Sequence, residues 1–292
     1  MSGDELPSHY SGLMKNLGQG YALYKPVQVS DLSPGICGYF DRHGDWVPIL
    51  DIFNLPDDAN GPYKKMEMPP ELKKVGPEEW SPQYSEGVDY VAVPIEAAAS
   101  APGAPGSVGV ELKFTSSKVE NAVLIAGPVT KEFFPFESRF QEWCDANFAA
   151  IIREFRDVKE HGLWIITKTC HTDRWRISTW RQKSRTVSIG LSADAVNAAK
   201  ITGKGSWGQK AAVGGWRGMD APENEADKIS NHYVIFVGGL KYKYSKLTSA
   251  LGRPPHGGPI PKGHDDKKTV DVNGESLECS LVTKVGMKDT YE

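Results

Sequence analysis

Gly203, Gly205 and Gly208 in GKGSWG fit the G-x-G-x-x-G spacing by which a backbone loop approaches phosphate groups. A dinucleotide loop of that kind needs a strand just before it, a helix just after it and an acidic residue about 20 positions on. AVGGW follows instead, so the run reads as a plain loop. A kinase would carry H-R-D and D-F-G downstream, and neither occurs. Cys170 and His171 are neighbours in an apparent strand, where successive side chains point to opposite faces, so they cannot pair as nucleophile and base. His161 or His232 would have to serve from elsewhere, and no catalytic-cysteine signature accompanies Cys170. The seven histidines show neither H-E-x-x-H nor a Cys/His spacing suited to zinc. The chain therefore reads as a non-enzyme, with no catalytic residue, metal ligand or cofactor assigned.

The residues that do form a pattern are cationic. Residues 162–218 hold ten Lys and Arg against only Asp173 and Asp194, although the whole chain has a net charge of -3. Lys168, Arg174, Arg176, Arg181, Lys183, Arg185, Lys200, Lys204 and Lys210 lie in this block, and Trp175 and Trp180 alternate with the arginines. Nucleic acid can use such a surface by stacking bases on Trp and meeting phosphates with Arg. An anionic bilayer can use it as well, because each Lys or Arg near the surface contributes about 1 kcal/mol and Trp prefers the interface. A solvated strand face is the plain alternative, and the block could also pair with the acidic first third of the chain.

Composition fits a folded protein, with 39% hydrophobic residues and 292 residues in all. No run approaches the roughly 18 to 20 apolar residues of a spanning helix, and Met1 to Leu17 shows no signal pattern. Cys37, Cys144, Cys170 and Cys279 are sparse and unpaired in sequence, as expected of free thiols in a reducing compartment.

The elements that must position the cations are mostly strands. YALYKPVQV and CGYFDRHGDWVPILDI read as a strand and a hairpin, and Pro56 to Gly87 as an exposed loop with short helical turns. Val91, Val93 and Ile95 alternate, as do Val108, Val110, Leu112 and Phe114, with the small-residue tip EAAASAPGAPGS between them. The apolar spacing from Phe136 to Val158 predicts a helix over about Phe136–His161, ended by Gly162. LWIITKTCHTDRWRISTW, a basic turn at Arg181–Arg185 and TVSIGL predict a second long hairpin, in which Ile165 and Ile166 break the alternation. Ser192–Asn231 reads as a Gly-, Ala- and Trp-bearing insertion before the strand HYVIFVGGLKYKY. GRPPHGGPIPKGHDD reads as a linker, and TVDV with SLECSLVTKV around Asn273–Gly274 as a small hairpin that must dock on the main domain.

A pore-forming hairpin must rest stably in water, then offer one apolar face to lipid and one polar face to a lumen. Because open strand edges do not survive in hydrocarbon, insertion requires a closed barrel built from many copies. With VGVELKFTSSKVENAVLIAG, IIREFRDVKEHG, LWIITKTCHTDRWRIST, TVSIGL and YVIFVGGLKYKY in that order, the chain resembles the N-terminal domain of gasdermins, particularly the short fungal gasdermin-like proteins of heterokaryon incompatibility. The resemblance covers about Leu13 to Tyr244.

It implies an α+β fold, a twisted antiparallel sheet with long extended hairpins and packed helices. It also implies a pore-forming executioner of regulated cell death that rests in the cytoplasm and acts at the cell membrane. The domains would be 1–248 as the pore-forming part, 249–268 as linker and 269–292 as an inhibitory tail. Expected partners are acidic phospholipids and further copies of the chain, with an activating protease or allelic partner protein. Proteolytic release would fall near Tyr244, Leu247, Arg253 or Lys262. Membrane-inserting positions would be Val91, Val93, Ile95, Val108, Val110, Leu112, Ile165, Trp175 and Ile177. The basic block would meet lipid headgroups, with Lys15 contributing from a first helix that is less basic than in the family. A nucleic-acid or other polyanion module is the alternative.

Overall fold

The computed structural model describes residues 6–55, 61–66, 69–95, 109–183, 185–192, 195–197, 200–201, 207–213, 215–220, 232–244, 268–272 and 275–281. The chain starts with helix α1 (Leu6–Met14), a 3-10 turn (Lys15–Leu17) and strands β1 (Tyr21–Gln28), β2 (Ile36–Phe40) and β3 (Trp46–Asp51). Strands β4 (Lys73–Glu78), β5 (Gln83–Tyr84), β6 (Val88–Ile95), β7 (Gly109–Ser116), β8 (Asn121–Ala126) and β9 (Val129–Phe133) follow. Helices α2 (Ser138–Glu154) and α3 (Val158–His161) then lead to β10 (Leu163–Thr172), β11 (Trp175–Trp180) and β12 (Val187–Ser192). The remaining strands are β13 (Val196–Asn197), β14 (Lys200–Ile201), β15 (Trp207–Val213), β16 (Arg217–Met219), β17 (Tyr233–Tyr244), β18 (Lys268–Val272) and β19 (Glu275–Leu281). Among the described residues strand predominates over helix and every strand pairing is antiparallel, consistent with an α+β class.

The largest sheet is nine-stranded and centres on β10 and β17. β10 takes β17 along one edge, and β2 and then β9 along the other. The glycines of VIFVGGLKY allow this close approach: Gly239 has φ +151, and a Cβ there would meet the Ile165 carbonyl oxygen at 2.0 Å. Helix α2 covers one face of the sheet with Phe140, Trp143, Phe148 and Ile151 against Leu163, Ile165, Leu240 and Tyr242. Tyr10 and Met14 of α1 cover another part, against Ala122, Leu124, Trp175 and Phe236.

Several expectations are corrected. The single helix is two: Phe155 leaves helical geometry at φ -110 and ψ 85, and Gly162 caps only the short α3. Phe136 precedes the helix, which starts only at Ser138, and lies exposed. The segment expected as a loop before Gly87 contains β4 and β5. β4 carries Pro77 and pairs with β9 on one side, the edge position that proline tolerates. The expected 192–231 insertion contains β13 to β16, of which β15 and β16 extend the sheets around β12 and β11. The β2–β3 hairpin and the terminal β18–β19 hairpin form as expected, and β19 docks by pairing with Leu240–Tyr244 of β17.

Candidate functional site

Two four-stranded sheets carry the long hairpins, in the orders β16-β11-β8-β5 and β15-β12-β7-β6. They are two halves of one ribbon. From Gly109↔Ser192 through Phe114↔Val187, Asn121↔Trp180 and Ala126↔Trp175 to Phe133↔Lys168, the two residue numbers of every pair have the same sum. No residue is gained or lost on either strand over that whole length. The ladder is interrupted at 115–120 opposite 181–186, where the ribbon bends into an elbow, and again at 127–129 opposite 172–174.

The elbow folds one half of the ribbon onto the other. Leu112 and Phe114 of β7 and Val187, Ile189 and Leu191 of β12 share one core with Val123 and Ile125 of β8 and Trp180 of β11. Trp207, near the far end of β15, comes back to lie 5.4 Å from the Arg174 guanidinium carbon at the other end of β11. The Ile201 N–H likewise donates to the Trp80 carbonyl at 2.8 Å. The inward apolar set changes parity across the bend, from Leu112 and Phe114 to Val123 and Ile125, so the pleat is broken there.

Side chains replace ladder bonds at the elbow. Ser116 Oγ donates to the Gly87 carbonyl at 2.9 Å and accepts from the Lys118 N–H at 3.0 Å, while Asn121 Nδ2 donates to the Lys118 carbonyl at 3.1 Å. Ser85 Oγ accepts from the Ala122 N–H at 3.0 Å. Exposed ion pairs lie over this frame: Lys118–Glu86 at 3.1 Å and Arg181–Glu120 at 3.3 Å. The expected strand over Val108, Val110, Leu112 and Phe114 stops before these residues, for which the serine pair and Asn121 are the only local signal.

The expected cations are dispersed. Arg181, Lys183 and Arg185 stand exposed together on the elbow, and Lys15 is exposed at the end of α1. Arg176 is 6% exposed and is hydrogen-bonded to Asp220, so it belongs to the interior rather than to a free basic face. Arg174 stacks on Trp207, and Lys168 is half-buried in β10. Lys200 and Lys210 lie on β14 and β15 with side chains outside the described residues, as is Lys204.

The expected apolar face of the first hairpin is also corrected. Val91 pairs with Lys113 and Val93 with Glu111, whereas Leu112 pairs with Ala92 and Val110 with Pro94. Directly paired residues share a face, so Val91 and Val93 lie on the side opposite Val110 and Leu112. Val91 is 58% and Val93 36% exposed, while Leu112 is buried. Val108 lies outside the described residues, as does the side chain of Ile95. Ile165, Trp175 and Ile177 are core residues. Of the expected release positions, Tyr244 ends β17, and Leu247, Arg253 and Lys262 lie outside the described residues.

The chemistry-bearing pair Cys170 and His171 separates as strand geometry requires. Cys170 is buried in the core under α1, where burial foremost pushes its thiol up to about 11. His171 joins a polar network with residues of β4 and β9 and with His232, just before β17. Its Nδ1 is 3.0 Å from Nδ1 of His232, so one of the two nitrogens carries a proton. His171 Nε2 stands 3.6 Å from Glu132, an electrostatic contact too long for a hydrogen bond, and Lys74 reaches the same oxygen at 2.9 Å. His171 first, and Lys74 after it, hold the Glu132 carboxyl down to about 2 against the opposing effect of burial. Burial foremost, then the neighbouring His171, lowers the His232 imidazole below its ordinary value. His232 thus sits against His171 rather than serving Cys170.

Among the described residues no three His, Cys, Asp or Glu side chains converge as a metal site, and no helix is long and apolar enough to cross a membrane. The second fact says nothing of strands. No protein-family model matches the chain, and no curated protein matches it.

Proposed function

We propose that this chain is a gasdermin-like pore-forming protein, an executioner of regulated cell death that rests with its ribbon folded and inserts it, opened, into a membrane containing acidic phospholipid. The observation that carries this reading is the unbroken register of the ribbon through its elbow. Two halves that share a register become one continuous sheet when the bend opens, without breaking and re-forming pairs along the central strands. A membrane-crossing β-strand needs about 9 to 11 residues. The 8 residues of β7 fall just short, and the elbow segment 117–120 supplies the rest.

Each copy would contribute β6, β7, β12 and β15, and neighbouring copies would join edge to edge until the barrel closes. β6 and β15 are the two outer strands, and both carry exposed valines, Val91, Val93 and Val213. Arg181, Lys183 and Arg185 would meet the acidic headgroups. The tail hairpin occupies the outer edge of β17 at Leu240–Tyr244, which makes it the inhibitory element of this reading. Removing it, or displacing it by a partner protein, would free a strand edge. Pore assembly would move the protein from the cytoplasm to the cell membrane.

The test is dye leakage from vesicles with and without anionic phospholipid, comparing intact protein with protein cut at a protease site inserted within 249–267. Leakage only after cutting, and only with anionic lipid, is expected. Cut protein that keeps its fold and leaves such vesicles sealed overturns the reading. The exposed elbow cations also favour the polyanion alternative. Salt-sensitive oligonucleotide binding without leakage would decide for it.

A further inference from the structure

The two faces of the β6-β7-β12 sheet differ in what they could meet in a membrane. On β7, Glu111 and Lys113 form an ion pair at 3.1 Å on one face, while Val110, Leu112 and Phe114 stand on the other. Strand pairing carries both faces sideways. Ser188 and Gly190 of β12 lie with Lys113 and Glu111, whereas Val187, Ile189 and Leu191 lie with Phe114, Leu112 and Val110. β6 follows the same register, with Val91 opposite Lys113, Val93 opposite Glu111 and Ala92 opposite Leu112. On the far side of β12, Val213 of β15 opposes Ser188 and so shares the charged face.

Hydropathy along β6 alone assigns Val91 and Val93 to lipid and Ala92 to neither side. Their neighbours decide otherwise. Glu111 and Lys113 flank the middle of an eight-residue strand, the depth at which a charge turned towards hydrocarbon costs most. The opposite face is apolar from Val110 to Phe114 on β7 and from Val187 to Leu191 on β12.

We infer that the opened ribbon turns its Glu111–Lys113 face to an aqueous lumen, so that Val91, Val93 and Val213 line water and Ala92 faces lipid. The inference rests on the pore-forming reading. In the folded ribbon Leu112, Phe114, Ile189 and Leu191 are covered by Val123, Ile125 and Trp180 of the other half, while Val91 and Val213 stand 58% and 59% exposed. Opening therefore moves one face from protein to lipid and leaves the other in water throughout.

The test compares leakage of anionic vesicles by tail-cut protein carrying Val91→Lys, Ala92→Lys or Val93→Lys. All three positions are exposed, so each variant keeps the fold, as circular dichroism checks. Val91→Lys and Val93→Lys should leak like the parent. Ala92→Lys should leak roughly thirty- to a thousandfold more slowly, the effect of one lysine turned to lipid near the middle of a bilayer. Ala92→Leu should leak normally, which ties the loss to charge rather than size. Loss at 91 and 93 with 92 tolerated, equal behaviour at all three positions, or a loss in Ala92→Leu as large as in Ala92→Lys overturns the face assignment, while leakage by the parent still upholds the pore reading. A cut parent chain that leaves the vesicles sealed overturns both.

Discussion

Truncating Phe114 to alanine should open the elbow while leaving the nine-stranded sheet closed. Phe114 is fully buried in the core between the two ribbon halves, with ring centroids of Tyr90 and Trp216 at 5.6 Å and 5.8 Å. A buried Phe→Ala change costs about 3 to 5 kcal/mol, including the cavity left behind. The loss falls on the contact between ribbon halves, so it lowers the free energy of sub-global opening rather than the whole fold alone. At about 1.4 kcal/mol per tenfold, protection of amides in β6, β7, β12 and β15 should fall by roughly 10² to 10⁴. Amides of β10 facing β17 should keep theirs up to the new global limit. Hydrogen exchange read by mass spectrometry distinguishes the regions, with Phe140→Ala in the core under α2 as the matched control. Uniform loss across both regions in Phe114→Ala, or no selective loss in the ribbon, would refute the elbow as an independent hinge. Under the pore-forming reading the same variant should leak anionic vesicles faster once the tail is cut.

Three further outcomes are expected. Glu132 and His232 both have lowered values in the fold, so the unfolded chain binds more protons below about pH 6.5. Their stabilisation is complete above the imidazole range, falls first as pH drops below it, and falls again from 4.5 towards about 2; Glu132→Gln should flatten the lower limb in urea midpoints taken across that range. Asp220→Asn strips the partner from buried Arg176, and because Asp220 is 53% exposed the loss should be about 1 to 2 kcal/mol, well below that of a fully buried pair, read from thermal or urea unfolding. Gly239→Ala would drive a Cβ into the Ile165 carbonyl at a φ of +151, and should abolish the native near-ultraviolet circular dichroism spectrum.

What each short segment is can be read from the order of its own residues. Alternation marked β6 and β7, the apolar spacing marked α2, and the Val-Asp-Val and Leu-Glu-Cys-Ser-Leu runs around Asn273–Gly274 marked the last hairpin. Those signals are local, since side-chain period follows from the backbone alone. Which face meets which depends on packing between segments distant in the chain. Val91 and Leu112 both alternate correctly, yet register across the hairpin puts them on opposite sides, and a single-residue difference in pairing inverts that assignment. β8 is apolar on both faces because two layers cover it, which erases the parity that could have revealed the elbow. Arg176 reads as a surface cation in any one-dimensional count. Its burial depends on Asp220, 44 residues away, and contacts of that span are written in the packing rather than in the order of residues.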